Sequence, residues 1–210
     1  QKHREFIAKP VPVPIPKRAF DMLFSLLGLL ISIPVWLLCL FGIWIEDPGP
    51  LFFVKNSVGK GGHNFHQFKL RTMVRGAEVE TGPVMAAEED TRTLKFGRFL
   101  RKTALDELPQ LLNILRGDMS FVGPRPQRTV LVYAYLKTMP EFAERARTLP
   151  GLAGLAQVAG HYYITPRQKL RYDRIYARNA SLGFDLKLIA LAIILVFYLR
   201  WKPSGADRIP

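Results

Sequence analysis

A long uncharged apolar stretch near the N-terminus dominates the hydrophobic pattern of the chain. Residues 22–45 hold no charged side chain over 24 positions. As a helix rising ~1.5 Å per residue, this stretch would be about 36 Å long, enough to span a hydrocarbon core of ~30 Å. No small-residue cleavage site follows it, so the pattern does not indicate a secretory signal peptide.

Two features leave the topology of this stretch open. Pro34 lies in its middle, where a proline removes a helical hydrogen bond and bends the helix, and Ser32 is placed to satisfy a freed carbonyl. Basic residues flank both ends, so charge does not favour one orientation. A re-entrant helix-turn-helix over 17–48 and a kinked transmembrane helix therefore both fit the pattern.

Shorter periodic segments predict a mixed domain after the apolar stretch. Short strand candidates at 51–54 and 64–70, joined by a glycine-rich turn, predict a β-hairpin. The 12-residue apolar run at 188–199 is too short to span a membrane, and R-W-K, a typical interfacial set, follows it. A helix in the membrane surface and a buried core helix both fit this run. Residues 150–154 are expected to form a loop. Helical patterns are expected at 94–101, 107–115, 131–137 and 168–178.

These elements predict an α+β fold that is mostly helical with a small β-hairpin. A proline-rich extended linker at 1–16 precedes the membrane segment at 17–48. A cytosolic or interfacial domain with amphipathic helices is expected over 49–202, followed by a tail at 203–210. The chain starts with Gln1, so we expect a fragment or a processed form.

The charge balance narrows the classes of partner. The chain has 210 residues, with 30 Lys+Arg against 17 Asp+Glu, a net charge of +13. This excess predicts an anionic partner such as a nucleic acid, an anionic lipid or a phosphorylated substrate. No groove-like pattern of stacking aromatics accompanies the basic residues, which disfavours nucleic acid. The single cysteine, Cys39, excludes an internal disulfide framework.

The densest cluster of chemically capable residues lies at 101–128. Pro109 is best tolerated in a first helical turn, so Asp106 or a neighbour is expected to cap a helix that stops at Gly117. The positive end of such a helix favours ionised carboxylates, which bind Mg²⁺ and can act as nucleophiles. Asp106 and Glu107 are therefore candidate catalytic and metal-binding residues. A well-capped surface helix is the alternative for this pair alone.

Basic residues around the carboxylate pair point to a diphosphate. Arg125 stands between two prolines, which fix its backbone and orient a guanidinium that matches phosphate with two hydrogen bonds. A plain turn is the alternative for this G-P-R-P segment. The candidate phosphate-binding residues are Arg101, Arg125, Pro126, Lys69 and Arg71.

Several short motifs occur in a fixed order. They are K-R-A-F-D at 17–21, D-P-G-P at 47–50, F-K-L-R-T-M at 68–73, the stretches 101–112 and 117–126, P-G at 150–151, and G-L-A-Q-V at 154–158. Together they resemble the bacterial sugar transferases of the monotopic phosphoglycosyl transferase family, also called polyprenyl-phosphate sugar-1-phosphate transferases. The resemblance covers roughly residues 17–200. The pattern at 169–176 is similar to exopolysaccharide-initiating members.

The resemblance implies a reaction and roles for site residues. A sugar-1-phosphate would pass from a nucleotide (UDP) sugar to polyprenyl (undecaprenyl) phosphate, with release of UMP, by a covalent two-step route. Asp106 would become phosphoglycosylated with Mg²⁺ at the diphosphate, and Glu107 would support the metal site or proton transfer. Arg101 and Arg125 fall on the family's arginines and would be phosphate ligands.

The resemblance also implies a location. The family's re-entrant helix is kinked at a Ser-Pro pair and lies on the cytoplasmic face of the bacterial inner (plasma) membrane. Here Ile33 separates Ser32 from Pro34, and His161 stands where some members carry an arginine. The expected partners are the nucleotide-sugar donor, the polyprenyl phosphate acceptor and the lipid bilayer, with no nucleic acid and with a homodimer left open.

A non-catalytic function is the alternative hypothesis to the sugar-1-phosphate transferase. A basic membrane-surface scaffold that binds anionic lipids would explain the charge and the apolar segments. It would not explain an Asp-Glu pair followed by G-D-M-S and G-P-R-P.

Overall fold

The computed structural model describes residues 8–79, 82, 90–159 and 164–199. Its seven helices within these residues are α1 Ile15–Glu46, α2 Lys95–Thr103, α3 Gln110–Arg116, α4 Thr129–Thr138, α5 Leu155–Ala159, α6 Pro166–Asn179 and α7 Leu182–Leu199. Its strands are β1 Phe52–Val58, β2 Asn64–Leu70, β3 Ser120–Val122 and β4 Gly151–Ala153. The predicted class, mostly helical with a small antiparallel hairpin, is confirmed.

Helix α1 is the apolar stretch. It runs as one α-helix of 32 residues with Pro34 inside it. The Ser32 hydroxyl donates to the Leu29 carbonyl at 3.2 Å, whereas the carbonyl freed by Pro34 is that of Leu30, four residues before it. Among the described residues, α1 is the one helix long and apolar enough to cross a membrane. The kink, the helix-turn-helix at 17–48 and the re-entrant topology stay predictions.

One side of α1 packs on the rest of the protein, and the other side is bare. Near its end, Ile43 and Cys39 are buried with Leu70 and Leu100, and a Cβ at Gly42 would meet the ring of Phe96. The bare side carries large apolar side chains, such as Ile31, which is 77% exposed, and Leu38, which is 69% exposed. A helix with this pattern requires an apolar medium along its exposed face.

The beginning of α1 is anchored by polar side chains. The buried Lys17 ammonium donates to the Val122 carbonyl and pairs with the carboxylate of Asp185 in α7. The Tyr176 hydroxyl donates to the same carboxylate at 2.9 Å, so α6 joins this buried cluster. One residue further along, the Arg18 guanidinium donates to two carbonyls at the C-terminal end of α3, at 2.7 and 2.8 Å. The Ile114 carbonyl also accepts from Gly117 N at 3.0 Å, so Arg18 adds a second donor there and supplies a side-chain donor to the Leu115 carbonyl at the end of the helix.

The predicted hairpin forms, with the first strand longer than expected, and Phe52 lies opposite Leu70 and Val58 opposite Asn64. The side chain of Asn113 in α3 then continues the outer edge of β2. Its amide oxygen accepts from Phe68 N at 3.1 Å, and its amide nitrogen donates to the His66 carbonyl at 2.8 Å. Because Asn113 satisfies an otherwise unpaired strand edge, it fixes α3 against the sheet.

The segment expected as a loop at 150–154 is instead largely a strand, and that expectation was wrong. Gly151–Ala153 pairs in parallel with Ser120–Val122. The two backbones meet at Gly123 and Gly151, where a Cβ on either glycine would overlap the other chain segment. Only glycine allows this close approach, and it sets the position of the G-P-R-P segment that follows β3.

Other predicted elements fall close to their expected places. The helices predicted at 94–101, 131–137 and 168–178 are α2, α4 and α6, and the apolar run at 188–199 is the later part of α7. In the described part of the proline-rich linker, the chain is extended and bonds through Ala8 N to Gly61 O and through Val11 N to Arg147 O. The predicted roles of His161 and of residues 200–202, and the tail at 203–210, lie outside the described residues.

Candidate active site

The two candidate carboxylates lie in a single 3-10 turn, Leu105–Glu107, between α2 and α3. Ala104, directly before it, has φ 59° and ψ 15° and is the one non-glycine residue with positive φ in the described chain. The predicted helix cap was wrong: α3 starts only at Gln110, and no side chain caps it. Gly117 does end α3, in the left-handed conformation expected for a helix stop. The left-handed residue turns the chain so that both carboxylates face one side.

Lys69 and Arg125 converge on this turn. The Lys69 ammonium, from β2, lies 3.2 Å from Asp106 Oδ2 and 2.8 Å from Glu107 Oε1. The Arg125 guanidinium lies 2.6 Å from Glu107 Oε1. The structure therefore brings together four of the residues that the sequence singles out, from three separate elements.

Burial and charge act in opposite directions on Glu107. Burial raises the pKa of this carboxyl, but the charges of Arg125 and Lys69 outweigh burial and hold its pKa well below the usual range. Glu107 is therefore ionised at neutral pH and holds the two cations in place. Asp106 is buried, and its ammonium partner is Lys69, which Glu107 also contacts.

The backbone around Arg125 is fixed on both sides. Arg125 itself is exposed, whereas Pro124 and Pro126 on either side of it are buried. The Arg125 carbonyl accepts from Arg145 Nη2 at 3.0 Å. Arg145 also pairs with the buried Asp173 of α6 and lies 5.0 Å from the ring centre of Phe142. Thus the buried ion pair between Arg145 and Asp173 positions the exposed guanidinium of Arg125.

The other two predicted phosphate ligands have different contacts. Arg71 is buried and bonds to both the backbone and the carboxylate of Asp47, at the end of α1. The Arg101 guanidinium donates to the hydroxyl of Thr72 at 2.8 Å and to that of Thr93 at 3.3 Å. These contacts tie α1 and α2 to the segment after β2, while their phosphate roles stay predictions.

Sequence reasoning missed Lys55 and Arg128. Lys55 is half-buried in β1, on the strand next to Lys69, and burial together with the charges of Lys69 and Arg125 lowers its pKa to about 7. Arg128 lies 5.6 Å from the ring centre of Phe53 and pairs with Glu78. The period of two in the hairpin, once its register is known, is the signal that would have found Lys55.

The donor set can be compared with what Mg²⁺ requires. Within the described residues, no group of three or more His, Cys, Asp or Glu side chains is placed to hold a metal ion. Mg²⁺, however, is commonly held by one or two carboxylates together with substrate phosphates and water. Asp106 and Glu107 supply that carboxylate pair, so the residues fit a magnesium ion that arrives with a phosphorylated substrate.

An exposed apolar helix packs along a small domain, and two carboxylates lie among cations at the edge of that domain. This arrangement is typical of a membrane-associated protein that binds anionic groups. The comparison with known families agrees. The chain belongs to the bacterial sugar transferase family, whose sequence model matches residues 13–198. The predicted family is confirmed.

Named relatives in bacteria are similar over most of this chain. A UDP-glucose:undecaprenyl-phosphate glucose-1-phosphate transferase of Caulobacter vibrioides is 42% identical over 186 residues, which cover 85% of this chain and 68% of the relative. A protein of the same name in Xanthomonas campestris pv. campestris is 36% identical over 187 residues, 87% of this chain and 39% of the relative. The exopolysaccharide production protein ExoY of Sinorhizobium fredii is 35% identical over 189 residues, 83% of this chain and 82% of the relative.

Several relatives are much longer than this chain. The chain spans 45% of the length of an N-acetylgalactosaminephosphotransferase of Aeromonas hydrophila and 39% of the Xanthomonas protein. The match to the family's sequence model, residues 13–198, contains α1, the hairpin and the carboxylate pair.

Proposed function

We propose that this protein transfers a sugar-1-phosphate from a UDP-sugar to undecaprenyl phosphate, as the first membrane step in assembling an exopolysaccharide or related glycoconjugate. The observation that carries the proposal is the pair of buried Asp106 and half-buried Glu107 in contact with Lys69 and Arg125, beside an exposed apolar helix. The names of the relatives, which include UDP-glucose and undecaprenyl phosphate, support the substrate classes.

In the first step, a carboxylate oxygen of Asp106 attacks the phosphorus that bears the sugar. A new bond forms between that oxygen and phosphorus, and the bond to the bridging oxygen of the nucleotide phosphate breaks. UMP leaves with the electron pair, and the sugar phosphate remains on Asp106 as an acyl phosphate. This route splits one difficult transfer into two easier ones.

In the second step, a phosphate oxygen of undecaprenyl phosphate attacks the same phosphorus. The bond to Asp106 breaks, the carboxylate is regenerated, and the lipid diphosphate-sugar leaves. Lys69 and Arg125 stabilise negative charge on the transferring phosphate and on the phosphate bonded to it in the donor, and Glu107 keeps both cations at the site before the donor arrives. Positioned cations of this kind supply most of the catalysis in phosphoryl transfer.

Magnesium belongs to the same proposal. Asp106 and Glu107 would hold the ion together with donor phosphate oxygens. When bound, Mg²⁺ supplies charge neutralisation at the diphosphate. Loss of turnover on chelation, restored by added Mg²⁺, is the expected result.

The membrane disposition follows from where α1 makes its contacts. Its first turns bond through Lys17 to β3 and α7, and its last turns pack through Ile43 on α2 and β2. Because both ends of α1 contact one domain, a perpendicular crossing would carry that domain's polar surface into the hydrocarbon. We therefore propose a monotopic protein at the cytoplasmic face, with the exposed side of α1 in lipid.

The direct test is Asp106→Asn in the full chain, purified in detergent. We expect release of UMP from a UDP-sugar to be lost while thermal unfolding stays cooperative. Glu141→Gln serves as the control, because Glu141 is an exposed acid in a different segment and its change should leave turnover intact. Normal turnover by Asp106→Asn would refute the nucleophile assignment.

A panel of UDP-sugars with undecaprenyl phosphate tests the reaction itself. Turnover with at least one donor is expected, and the panel identifies the sugar. Binding to liposomes of anionic lipid without turnover on any donor would instead favour the scaffold reading.

A further inference from the structure

We propose that Lys55 is a further phosphate-binding residue, which with Lys69 and Arg125 forms a subsite for the nucleotide's phosphate in the donor. This inference rests on the proposed function, because it assigns one phosphate of that donor. Neither the sequence motifs nor the names of the relatives point to this lysine.

The hairpin register places Lys55 on the face of the sheet that also carries Lys69. Lys55 lies directly opposite Gln67, and Lys69 lies opposite Phe53, so the two lysines are diagonal neighbours on one face. Diagonal neighbours of this kind are about 7–8 Å apart, within reach of one ligand for two long side chains. The same face carries the hydrogen bond from Gln67 to Gln110 of α3, so it looks toward the carboxylate turn.

The charges around Lys55 are unbalanced. Lys69, Arg125 and Arg128 act on Lys55 as like charges, Glu107 acts on it as an opposite charge, and Lys55 in turn lowers the pKa of Glu78. Glu107 is already bonded to Lys69 and Arg125, and Arg128 already pairs with Glu78. Lys55 itself makes no ion pair in the part of the chain that the structure describes. A half-buried lysine among three cations therefore lacks an anion, which a bound phosphate would supply.

The position of Lys55 selects which phosphate it binds. Lys69 contacts Asp106, whereas Lys55, the diagonal neighbour of Lys69, makes no ion pair with Asp106, so Lys55 lies further from Asp106 than Lys69 does. If Asp106 attacks the sugar-bearing phosphorus, the other phosphate of the donor extends away from Asp106. That phosphate stays with the nucleotide when UMP leaves, and Lys55 is placed to hold it and to stabilise the charge it gains.

Binding of UMP and of inorganic pyrophosphate to the full chain tests this assignment without requiring turnover. Lys55→Gln should weaken UMP binding, measured by calorimetry, by about tenfold or more, since hydrogen bonds to charged groups carry at least that difference. Lys55→Arg should retain most of the affinity. Lys137→Gln makes the same change at an exposed position of α4 and should leave binding unaltered.

A structural role would give a different result. Lys55→Gln removes a repelled cation, so the protein without ligand should be as stable as the parent or more stable. Lower stability with unchanged UMP affinity would overturn the proposal. If no UDP-sugar is turned over by the parent, the proposed function fails, yet the difference in UMP and pyrophosphate affinity still reports on Lys55.

Discussion

Replacing Arg145 tests two roles of one buried side chain. It pairs with the Asp173 carboxylate, and it holds the backbone of Arg125. Arg145 lies in the 3-10 segment Pro140–Arg147, pairs with Asp173, and donates to the Arg125 carbonyl at 3.0 Å. The side chains of the pair are only 9% and 2% exposed. In Arg145→Met, the Asp173 carboxylate stays buried without its partner, and we expect the free energy of unfolding to fall by about 3–5 kcal/mol. That is a large part of the ~5–15 kcal/mol typical of a domain.

The dependence on pH provides a check of this cause. Burial raises the pKa of Asp173, against the lowering effect of Arg145 and Lys169. A carboxyl whose pKa is raised by folding contributes stability below its unfolded pKa and loses it as pH rises through the folded pKa. Without Arg145 the pKa of Asp173 in the folded protein rises further. The loss of unfolding free energy in Arg145→Met should therefore be largest at pH 7 and should shrink towards pH 4.

Urea unfolding in detergent, at pH 7 and pH 5, measures the change. A matched control exists on the same two elements: Arg174 and Glu144 form an ion pair whose side chains are 41% and 39% exposed. Exposed pairs contribute about 0–1 kcal/mol, so Arg174→Met should cost no more than that. Equal losses in the two variants would refute the argument from burial.

The double variant Arg145→Met/Asp173→Leu isolates the positioning role. It removes both buried charges, so most of the lost stability should return. The hydrogen bond to the Arg125 carbonyl is still absent, and the KM for the UDP-sugar should rise roughly ten- to hundredfold. A stable double variant with the parent's KM would show that Arg145 does not position Arg125.

Two further changes test the packing around the site. Gly97→Ala should lower the free energy of unfolding by about 1–3 kcal/mol, because the added Cβ overlaps the Thr72 carbonyl; Gly183→Ala, with nothing within 4 Å, should be neutral or stabilising in the same urea titration. Arg18→Met should cost about 1–3 kcal/mol, since the Leu115 carbonyl loses its side-chain donor and the Ile114 carbonyl keeps only Gly117 N, and hydrogen exchange should increase there first. Unchanged exchange in α3 would contradict this.

Elements with a strong local period were predictable from the sequence. The apolar run of α1 and the two short strand segments around a glycine-rich turn can be recognised without knowledge of distant residues, and both elements are present. The pair β3 and β4 was not predictable, because each strand has three residues and its partner lies far along the chain. The start of α3 was misplaced because Ala104 adopts a left-handed conformation that alanine seldom takes, which puts the carboxylates in a separate turn.

In the site, too, some residues could be predicted from the local sequence and others could not. Asp106, Glu107, Arg125 and Lys69 stand in recognisable motifs, and the structure brings them within hydrogen-bonding distance of one another. Lys55 became visible only through the register of the hairpin. Arg145 became visible only through a carbonyl and a carboxylate far from it in sequence. Local pattern thus identifies the reacting groups, whereas the residues that hold them require the tertiary fold.

The bond between Lys17 and Asp185 has a consequence for biosynthesis, because 168 positions separate the two residues. At ~5–20 residues per second, the ribosome needs roughly 10–30 s to make the intervening chain. Helix α1 is therefore complete long before its anchor in α7 exists. During that interval the newly made apolar helix must be held by the bilayer or by a chaperone, and a nascent chain arrested before residue 182 can never make this bond.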